Sequence, residues 1–290
     1  MTRCSPISRA WTNLDFTGCN SGTPGLRFKV AISGGNVNDE AQIRDQIDFY
    51  RQEARQLATL GLTDMAPETL ASATLGTLAG VVESYCPPSS RCLELAAGWG
   101  RFTRPLLQVC QQLTAVDASG EMHAINRALN GKAGVEYVEA NLFEYVPEKR
   151  YDLVFAGFWL SHVPETRFRP FWNMVGTALE PGGTVVMVDD GIRGVDGVTR
   201  FADDPTGSDA HRRLWDGQEF TIVKNAYNPG ELEGLLHDLG WNAVVTPQTS
   251  EVYVVVAKRR QALGWVPRTP DRGRACNGGG CGAAPATPKD

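Results

Sequence analysis

The sequence predicts an α/β protein with a Rossmann-like, doubly wound, seven-stranded sheet that is mostly parallel and has an antiparallel terminal strand. First, strand-like and helix-like segments alternate through the middle of the chain, which is typical of an open sheet with helices on both faces. Second, the strand-like segments are short apolar runs, as expected of parallel strands buried on both sides. Third, the last two runs, 241–246 and 252–257, are joined by a short link that favours an antiparallel pair.

The five strands before that pair are expected at 91–95, 113–116, 135–138, 153–155 and 184–188. Between the fourth and fifth strands, apolar residues at helical spacing predict a helix with a buried face formed by Phe168, Phe171, Trp172, Val175 and Leu179. Ser119 can cap the helix after the second strand. Asn228 followed by Pro229 is a typical start for the last helix.

Composition divides the 290 residues into three zones. Residues 1–40 mix small and polar residues without a sustained period, and we expect a loosely ordered leader with one short strand at 26–32. Residues 41–261 form the expected domain. Residues 262–290 are rich in Gly, Ala and Pro, and we expect a disordered tail because they bury too little apolar surface to offset chain entropy.

Charge and cysteine content limit the classes of function. The formal net charge of -5 argues against a protein held to nucleic acid by phosphate neutralisation, and no run approaches the roughly 18 apolar residues of a membrane span. The seven cysteines fit no zinc spacing, so free thiols in a reducing cytoplasm and no metal site are expected. Cys92 and Cys110 are predicted to be buried, whereas Cys276 and Cys281 are assigned to the flexible tail.

The turn after the first strand is the first candidate for a binding site, because ligands of such sheets bind beyond the carboxyl ends of the strands. It runs from Glu94 through Gly98 to Gly100, and the two glycines let the backbone approach a ligand closely. Asp117 ends the next strand, where a carboxylate can accept hydrogen bonds from both hydroxyls of a ribose. Together, these features predict a ligand that contains adenosine.

A nicotinamide dehydrogenase would use a G-x-G-x-x-G turn, but Thr103 stands where the third glycine would be. With the acidic Glu94 before it, the turn instead resembles the first motif of class I S-adenosylmethionine-dependent methyltransferases, which runs acidic-x-Gly-x-Gly-x-Gly. The resemblance covers about residues 89–258. It includes further motif segments at 116–122, 140–142, 151–154 and 179–183, and the segments 158–164 and 216–220 resemble a bacterial subgroup of small-molecule enzymes.

The resemblance implies S-adenosylmethionine as the cofactor. It places the ribose on Asp117, the adenine against Met122, and Asn141 and Leu142 at the adenine edge. The backbone carbonyl of Gly157 or Phe158 would lie near the amino group of the cofactor. The other implied cofactor-binding residues are Glu94, Ala96, Gly98, Gly100, Ala118 and Tyr50.

Tyr50 lies on a predicted helix before the sheet, and similar enzymes place such a segment over the cofactor as a lid. Core packing of Phe49 and Tyr50 is the alternative. Two positions depart from the family pattern. Ala96 replaces the first glycine, which is tolerated if the φ angle of Ala96 is negative. Asn141 replaces the usual acidic residue, and its amide oxygen can still accept a hydrogen bond from the adenine amino group.

Methyl transfer depends mainly on holding the reacting atoms in line, and a base is needed only if the acceptor arrives protonated. His162, after the fourth strand, is the candidate catalytic base, with a structural histidine at a helix start as the alternative. His123 and His237 lie within predicted helices and are expected at the surface. Trp159 and Asp189 are candidates for contact with the acceptor. The alternatives are core packing for Trp159, together with Phe158, and simple solvation for the Asp189 carboxylate.

The main functional prediction is transfer of the methyl group of S-adenosylmethionine to an oxygen, nitrogen or carbon of a small-molecule acceptor. Peptide or protein methylation is one alternative, and a non-catalytic domain that binds the cofactor or a partner is another. The loop 191–217 is expected to contribute to specificity. Neither nucleic acid nor a membrane is expected as a partner, and the oligomeric state stays open.

Overall fold

A computed structural model describes residues 37–59, 75–131, 133–190, 209–225, 227–248 and 252–260. All of them belong to one compact unit, residues 35–290. The strand predicted at 26–32, the predicted tail at 262–290 and its two cysteines lie outside the described residues. The first helix begins at Val37, within the range predicted as the leader.

Strands and helices alternate as the sequence predicts. The strands are β1 (Ser89–Leu95), β2 (Cys110–Asp117), β3 (Val135–Glu139), β4 (Tyr151–Gly157), β5 (Leu179–Asp190), β6 (Asp209–Arg213), β7 (Glu219–Val223), β8 (Trp241–Pro247) and β9 (Val252–Arg259). The helices are α1 (Val37–Thr59), α2 (Leu75–Tyr85), α3 (Thr103–Val109), α4 (Gly120–Asn130), α5 (Glu165–Ala178) and α6 (Pro229–Asp238), with a short 3₁₀ turn at Leu160–His162.

Seven strands form one sheet in the order β3-β2-β1-β4-β5-β9-β8, which confirms the predicted fold class. Strands β1 to β5 pair in parallel, and β9 runs antiparallel to both β5 and β8. The antiparallel strand is therefore the last one in the chain, and β8 occupies the edge. The strand order reverses between β1 and β4, so a ligand site is expected beyond the carboxyl ends of these two strands.

Both faces of the sheet are buried. Along β4, Val154 and Ala156 pack in one apolar cluster, while Leu153 and Phe155 pack in a second cluster on the opposite face. This alternation is the period of two expected for a strand covered on both sides. Among the described residues, no helix is long and apolar enough to cross a membrane.

Local capping residues set two helix starts as predicted. The Ser119 hydroxyl accepts a hydrogen bond from the Met122 N–H (3.1 Å) at the start of α4. The Asn228 side chain accepts one from the Gly230 N–H (3.1 Å), and Pro229 is the first residue of α6.

Two elements were not predicted, namely α2 and the hairpin of β6 and β7. The hairpin lies partly within the segment 191–217 that was expected to be a loop. Strand β6 consists of Asp-Ala-His-Arg-Arg and has no alternation of apolar residues, so its sequence does not indicate a strand. Its structure depends on pairing with β7.

Candidate functional site

The site is built around the turn Ala96–Gly100, between β1 and α3. The Asp117 carboxylate at the end of β2 accepts a hydrogen bond from the Gly98 N–H (2.8 Å) through Oδ2 and one from the Ser119 N–H (2.9 Å) through Oδ1. A single carboxylate thus joins the turn after β1 to the start of α4. Burial raises the pKa of Asp117 to about 6, although these backbone hydrogen bonds lower it.

The two glycines of the turn have different surroundings. A Cβ atom at Gly98 would meet nothing within 4 Å, whereas one at Gly100 would lie 2.3 Å from Asn126 Oδ1. Both glycines have positive φ angles, +52° and +90°. Gly98 therefore faces open space in which a ligand can approach the backbone, and Gly100 permits close packing against α4.

The structure corrects the expectation for Ala96. Its φ angle is +52°, so the condition under which alanine would be tolerated without strain is not met. A left-handed conformation brings Cβ too close to the following carbonyl oxygen and costs roughly 1–2 kcal/mol for a residue other than glycine. The turn keeps the backbone path that a glycine would take, with a methyl group added to it.

Glu94 lies beneath the turn and is 2% exposed. The Thr103 hydroxyl donates a hydrogen bond to its Oε2 (2.7 Å). Burial raises the pKa of Glu94 to about 8, although the hydrogen bond from Thr103 lowers it.

The residues predicted to surround the adenine lie near the carboxyl ends of β2 and β3. Leu142 is buried in the apolar core, and the Asn141 side chain accepts a hydrogen bond from the Phe143 N–H (3.1 Å). Met122 is buried in a cluster that includes Ala54 and Leu57 of α1. The predicted residues are thus brought to one edge, with Met122 packed against α1.

Gly157 ends β4 on the other side of the switch point, and Phe158 follows it. A Cβ atom at Gly157 would lie 2.2 Å from the Phe102 ring, so glycine is required there by close packing. Phe158 has a positive φ angle of 55°, and its N–H donates to the Val188 carbonyl (2.7 Å). Its ring lies 5.3 Å from the Arg101 guanidinium, which also stacks on Trp99 at 5.2 Å.

Helix α1 lies over this edge of the sheet, and several polar side chains hold it there. The Arg51 guanidinium donates to the Ala118 carbonyl (3.0 Å), and Arg55 forms an ion pair with Glu121 (2.6 Å). Gln46 donates to the His162 carbonyl (3.3 Å) and accepts from the Val223 N–H (3.2 Å). These contacts tie α1 to the strand ends and to the hairpin.

Both ring nitrogens of His162 are engaged within the protein. Nδ1 lies 2.7 Å from the Val223 carbonyl, to which it can only donate, so the neutral ring presents the lone pair of Nε2 to the Tyr50 hydroxyl at 3.1 Å. His162 is 4% exposed. Burial and the nearby Lys224 charge hold the pKa of His162 well below its usual range.

A buried polar cluster supports His162 from below. Asp189 is 0% exposed and accepts a hydrogen bond from the Ser161 N–H (2.9 Å), while Lys224 Nζ donates to the Ser161 hydroxyl (2.9 Å). Asn225 donates to the carbonyls of Ser161 (2.7 Å) and Val163 (2.6 Å). The alternative of a solvated Asp189 is therefore wrong, since the 3₁₀ turn contacts the end of β5, while its predicted contact with the acceptor stays a prediction.

Other predicted positions have simpler surroundings. The Trp159 ring packs against Phe143 (5.4 Å) and Phe171 (6.4 Å), and Cys92 and Cys110 are buried free thiols as expected. The expectation of a surface His123 is wrong: it is 3% exposed and packs against the Tyr137 ring at 5.4 Å. Burial lowers the pKa of His123 to about 4.

Sequence reasoning missed Glu53, Arg101 and Lys224, and it included Arg212 only as part of the segment 191–217. Glu53 follows Tyr50 by one helical turn on α1, so the two side chains share a face. Burial raises the pKa of Glu53 to about 7, although the charges of Arg212 and Arg101 lower it. The spacing from Tyr50 could have identified Glu53, whereas the placement of Arg212 and Lys224 depends on the unpredicted hairpin.

Comparison with known proteins agrees with this geometry. A family model described as a methyltransferase domain matches residues 93–187. The structure of DhpI in complex with SAH is 30% identical, and the match covers 77% of this chain and 99% of that chain with a TM-score of 0.61. The DhpI complex with SAM and HEP is also 30% identical, covering 75% and 97% with a TM-score of 0.60.

The chain belongs to the class I S-adenosylmethionine-dependent methyltransferases. The glycopeptide N-methyltransferase MtfA in complex with SAH has the same fold at 20% identity, with 65% of this chain and 91% of that chain covered and a TM-score of 0.50. No curated protein matches the chain by sequence. The cofactor of this methyltransferase is S-adenosylmethionine, which fits the open space at Gly98 and the carboxylate of Asp117.

We expect Ala96→Gly to raise the free energy of unfolding of the methyltransferase by about 0.5–1 kcal/mol, because it removes the left-handed strain. Ala97→Gly is the matched control, since Ala97 is buried and has no positive φ angle. The control should lower stability. Urea unfolding monitored by circular dichroism measures both, and a destabilised Ala96→Gly variant would contradict the strain argument.

We expect Asp117→Ala to weaken S-adenosylmethionine binding roughly 100-fold or more, because the turn loses its anchor and the ribose its acceptor. Asp152→Ala is the control, since Asp152 also accepts two backbone N–H bonds, from Ser90 (3.1 Å) and Arg91 (2.9 Å). These bonds lie at the amino ends of the strands, away from the donor turn. Titration calorimetry should find the affinity of the control unchanged. Equal affinities of the two variants would exclude a direct role for Asp117.

Proposed function

We propose that this methyltransferase transfers the methyl group to an oxygen, nitrogen or carbon of a small-molecule acceptor by in-line displacement. The observation that supports a small acceptor is the cover over the donor turn, formed by α1 and the β6–β7 hairpin. Phe49 and Tyr50 of α1 pack with Leu214, Phe220 and Ile222 in one apolar cluster. An acceptor site beneath such a cover would suit a small molecule better than a chain segment, and the cover would exclude water from the reacting atoms.

The comparisons support the same proposal. DhpI forms a complex with both SAM and HEP, and this chain matches 97% of that protein. A relative of this enzyme therefore holds a second compound together with the donor. For the present chain, we propose that Asp117 binds the ribose and that Leu142 and Asn141 border the adenine.

We propose that the acceptor lies between the donor turn and the inner face of α1. Tyr50 and Glu53 would approach it from α1, and Phe158 from the end of β4. Asp189 and Trp159 would contribute from behind, by holding the Ser161 segment and by packing the pocket wall. Bound at the turn, S-adenosylmethionine supplies an electrophilic methyl group, and the protein residues fix the direction of attack.

For His162 we propose a positioning role. A neutral, buried histidine with a depressed pKa is a weak base, and its Nε2 atom is already engaged by the Tyr50 hydroxyl. The Val223 carbonyl fixes the tautomer, and the ring then fixes the direction of the Tyr50 hydroxyl. His162 would thus act on the acceptor through Tyr50.

The test of the proposed function uses S-adenosylmethionine with a tritiated methyl group and an extract that contains both metabolites and proteins. After incubation with the enzyme, label is measured separately in the small-molecule and macromolecular fractions. We expect label in the small-molecule fraction, and none with the Asp117→Ala variant. Label confined to proteins or peptides would overturn the small-acceptor proposal.

With the acceptor identified in this way, we expect His162→Ala to lower kcat about 10–100-fold while S-adenosylmethionine affinity changes little. If His162 acts through Tyr50, then Tyr50→Phe should cause a similar loss, and the double variant should be no worse than either single one. Losses that multiply in the double variant, or a loss in His162→Ala with a wild-type rate in Tyr50→Phe, would instead assign His162 as the base.

A further inference from the structure

Glu94 is a buried carboxyl with no cation beside it. Within the described segments, its carboxyl accepts a hydrogen bond from Thr103, and no Lys, Arg or His forms an ion pair with it. Ionising a carboxyl in such a place is costly because the charge loses its hydration without gaining a partner.

Neutral groups connect Glu94 to the backbone of the donor turn. Asn126 Nδ2 donates to the Thr103 hydroxyl (2.9 Å), and Asn126 Oδ1 accepts from Asn130 Nδ2 (3.1 Å) and the Tyr137 hydroxyl (3.2 Å). Asn130 Nδ2 also donates to the Gly100 carbonyl (3.0 Å). This network fixes the position of Glu94 under the turn but contributes no positive charge.

The titratable groups that act on Glu94 come from three strands. They are Cys92 on β1, Cys110 and Asp117 on β2, and Tyr137 on β3, while α3 contributes the Thr103 hydroxyl. None of these four groups can become positively charged, because each is either neutral or negatively charged. Burial raises the pKa of Glu94 to about 8, which favours the protonated carboxyl at pH 7 in the cofactor-free protein.

We propose that Glu94 senses the charge of the methyl donor: its carboxyl releases a proton to solvent when S-adenosylmethionine binds, and retains it when S-adenosylhomocysteine binds. The donor has a sulfonium cation and the product a neutral sulfur. Only the sulfur of the donor would therefore stabilise a negative charge on the carboxyl beneath the turn. Glu94 thus favours donor over product. After methyl transfer, Glu94 recovers its proton, which weakens retention of the product.

The direction of the pH dependence follows from linkage. Because binding of the donor is coupled to loss of a proton, its affinity rises with pH until Glu94 is already ionised in the free protein, above about pH 8. Asp117 faces the ribose, which donor and product share, so its own titration affects both ligands alike. The pH dependence of the ratio of the two dissociation constants therefore reports the titration of Glu94. This inference concerns the donor site and does not depend on the identity of the acceptor.

The first experiment uses the wild-type chain. Titration calorimetry at pH 7 in buffers with different ionisation enthalpies counts the protons released. We expect S-adenosylmethionine to release roughly 0.5–1 proton more than S-adenosylhomocysteine does. Between pH 6 and pH 8, the preference for the donor should rise roughly 5–50-fold, the lower end for half a proton and the upper end for nearly one. Equal proton release for the two ligands would overturn the proposal.

The second experiment compares Glu94→Gln with Glu136→Gln. The glutamine at position 94 imitates the protonated carboxyl and still accepts the Thr103 hydrogen bond, so the pH dependence of the ratio should fall below about twofold. Glu136 is an exposed carboxyl paired with Lys149 on β3, and its variant should retain the wild-type dependence.

The amino group of each ligand titrates in the same way with every variant, so the comparison between variants cancels it. A dependence that persists in Glu94→Gln would overturn the proposal. If that variant does not fold, the proton count of the wild-type chain decides, after correction for the separately titrated amino group of each free ligand. Failure here, with methyl transfer intact, would leave the proposed function unaffected.

Discussion

The hydrogen bonds from the Gly98 and Ser119 N–H groups to the Asp117 carboxylate are the contacts on which the donor site depends. They join the turn after β1 to the start of α4 at the point where strand order reverses. The cover rests on the same segment, because Arg51 of α1 donates to the Ala118 carbonyl. The donor turn, the start of α4 and helix α1 are thus all hydrogen-bonded to the end of β2 or to the residue after it. A shift of this segment would therefore move all three.

The fold was largely predictable from local patterns. Short apolar runs identified the strands of the sheet, and Ser119 and Asn228 marked helix starts because a cap acts on N–H groups within three residues of it. The Gly-rich turn and Asp117 were found for the same reason, since each follows directly from a strand end. The positive φ angle of Ala96 could not be predicted from the residue, because alanine does not favour that conformation. The path of the turn imposes it.

The polar interior of the site was less predictable, because burial of a polar residue depends on segments that are remote in the chain. His123 was expected at the surface and solvation was the alternative for Asp189, yet both side chains are buried. The partners of His162 come from α1 and β7, and β7 belongs to a hairpin whose first strand has no apolar alternation. The sequence could therefore name His162 but not the tautomer that its neighbours impose.

The cover over the donor turn is assembled from two segments that are remote in the chain, α1 before β1 and the hairpin between β5 and α6. Gln46 joins them, since its amide bonds both the Val223 N–H and the His162 carbonyl. With the acceptor in the proposed position, grafting these two segments together would exchange acceptor preference between related enzymes and leave the donor turn intact. A graft of one segment alone would leave the Gln46 amide, or its backbone partners, without a match.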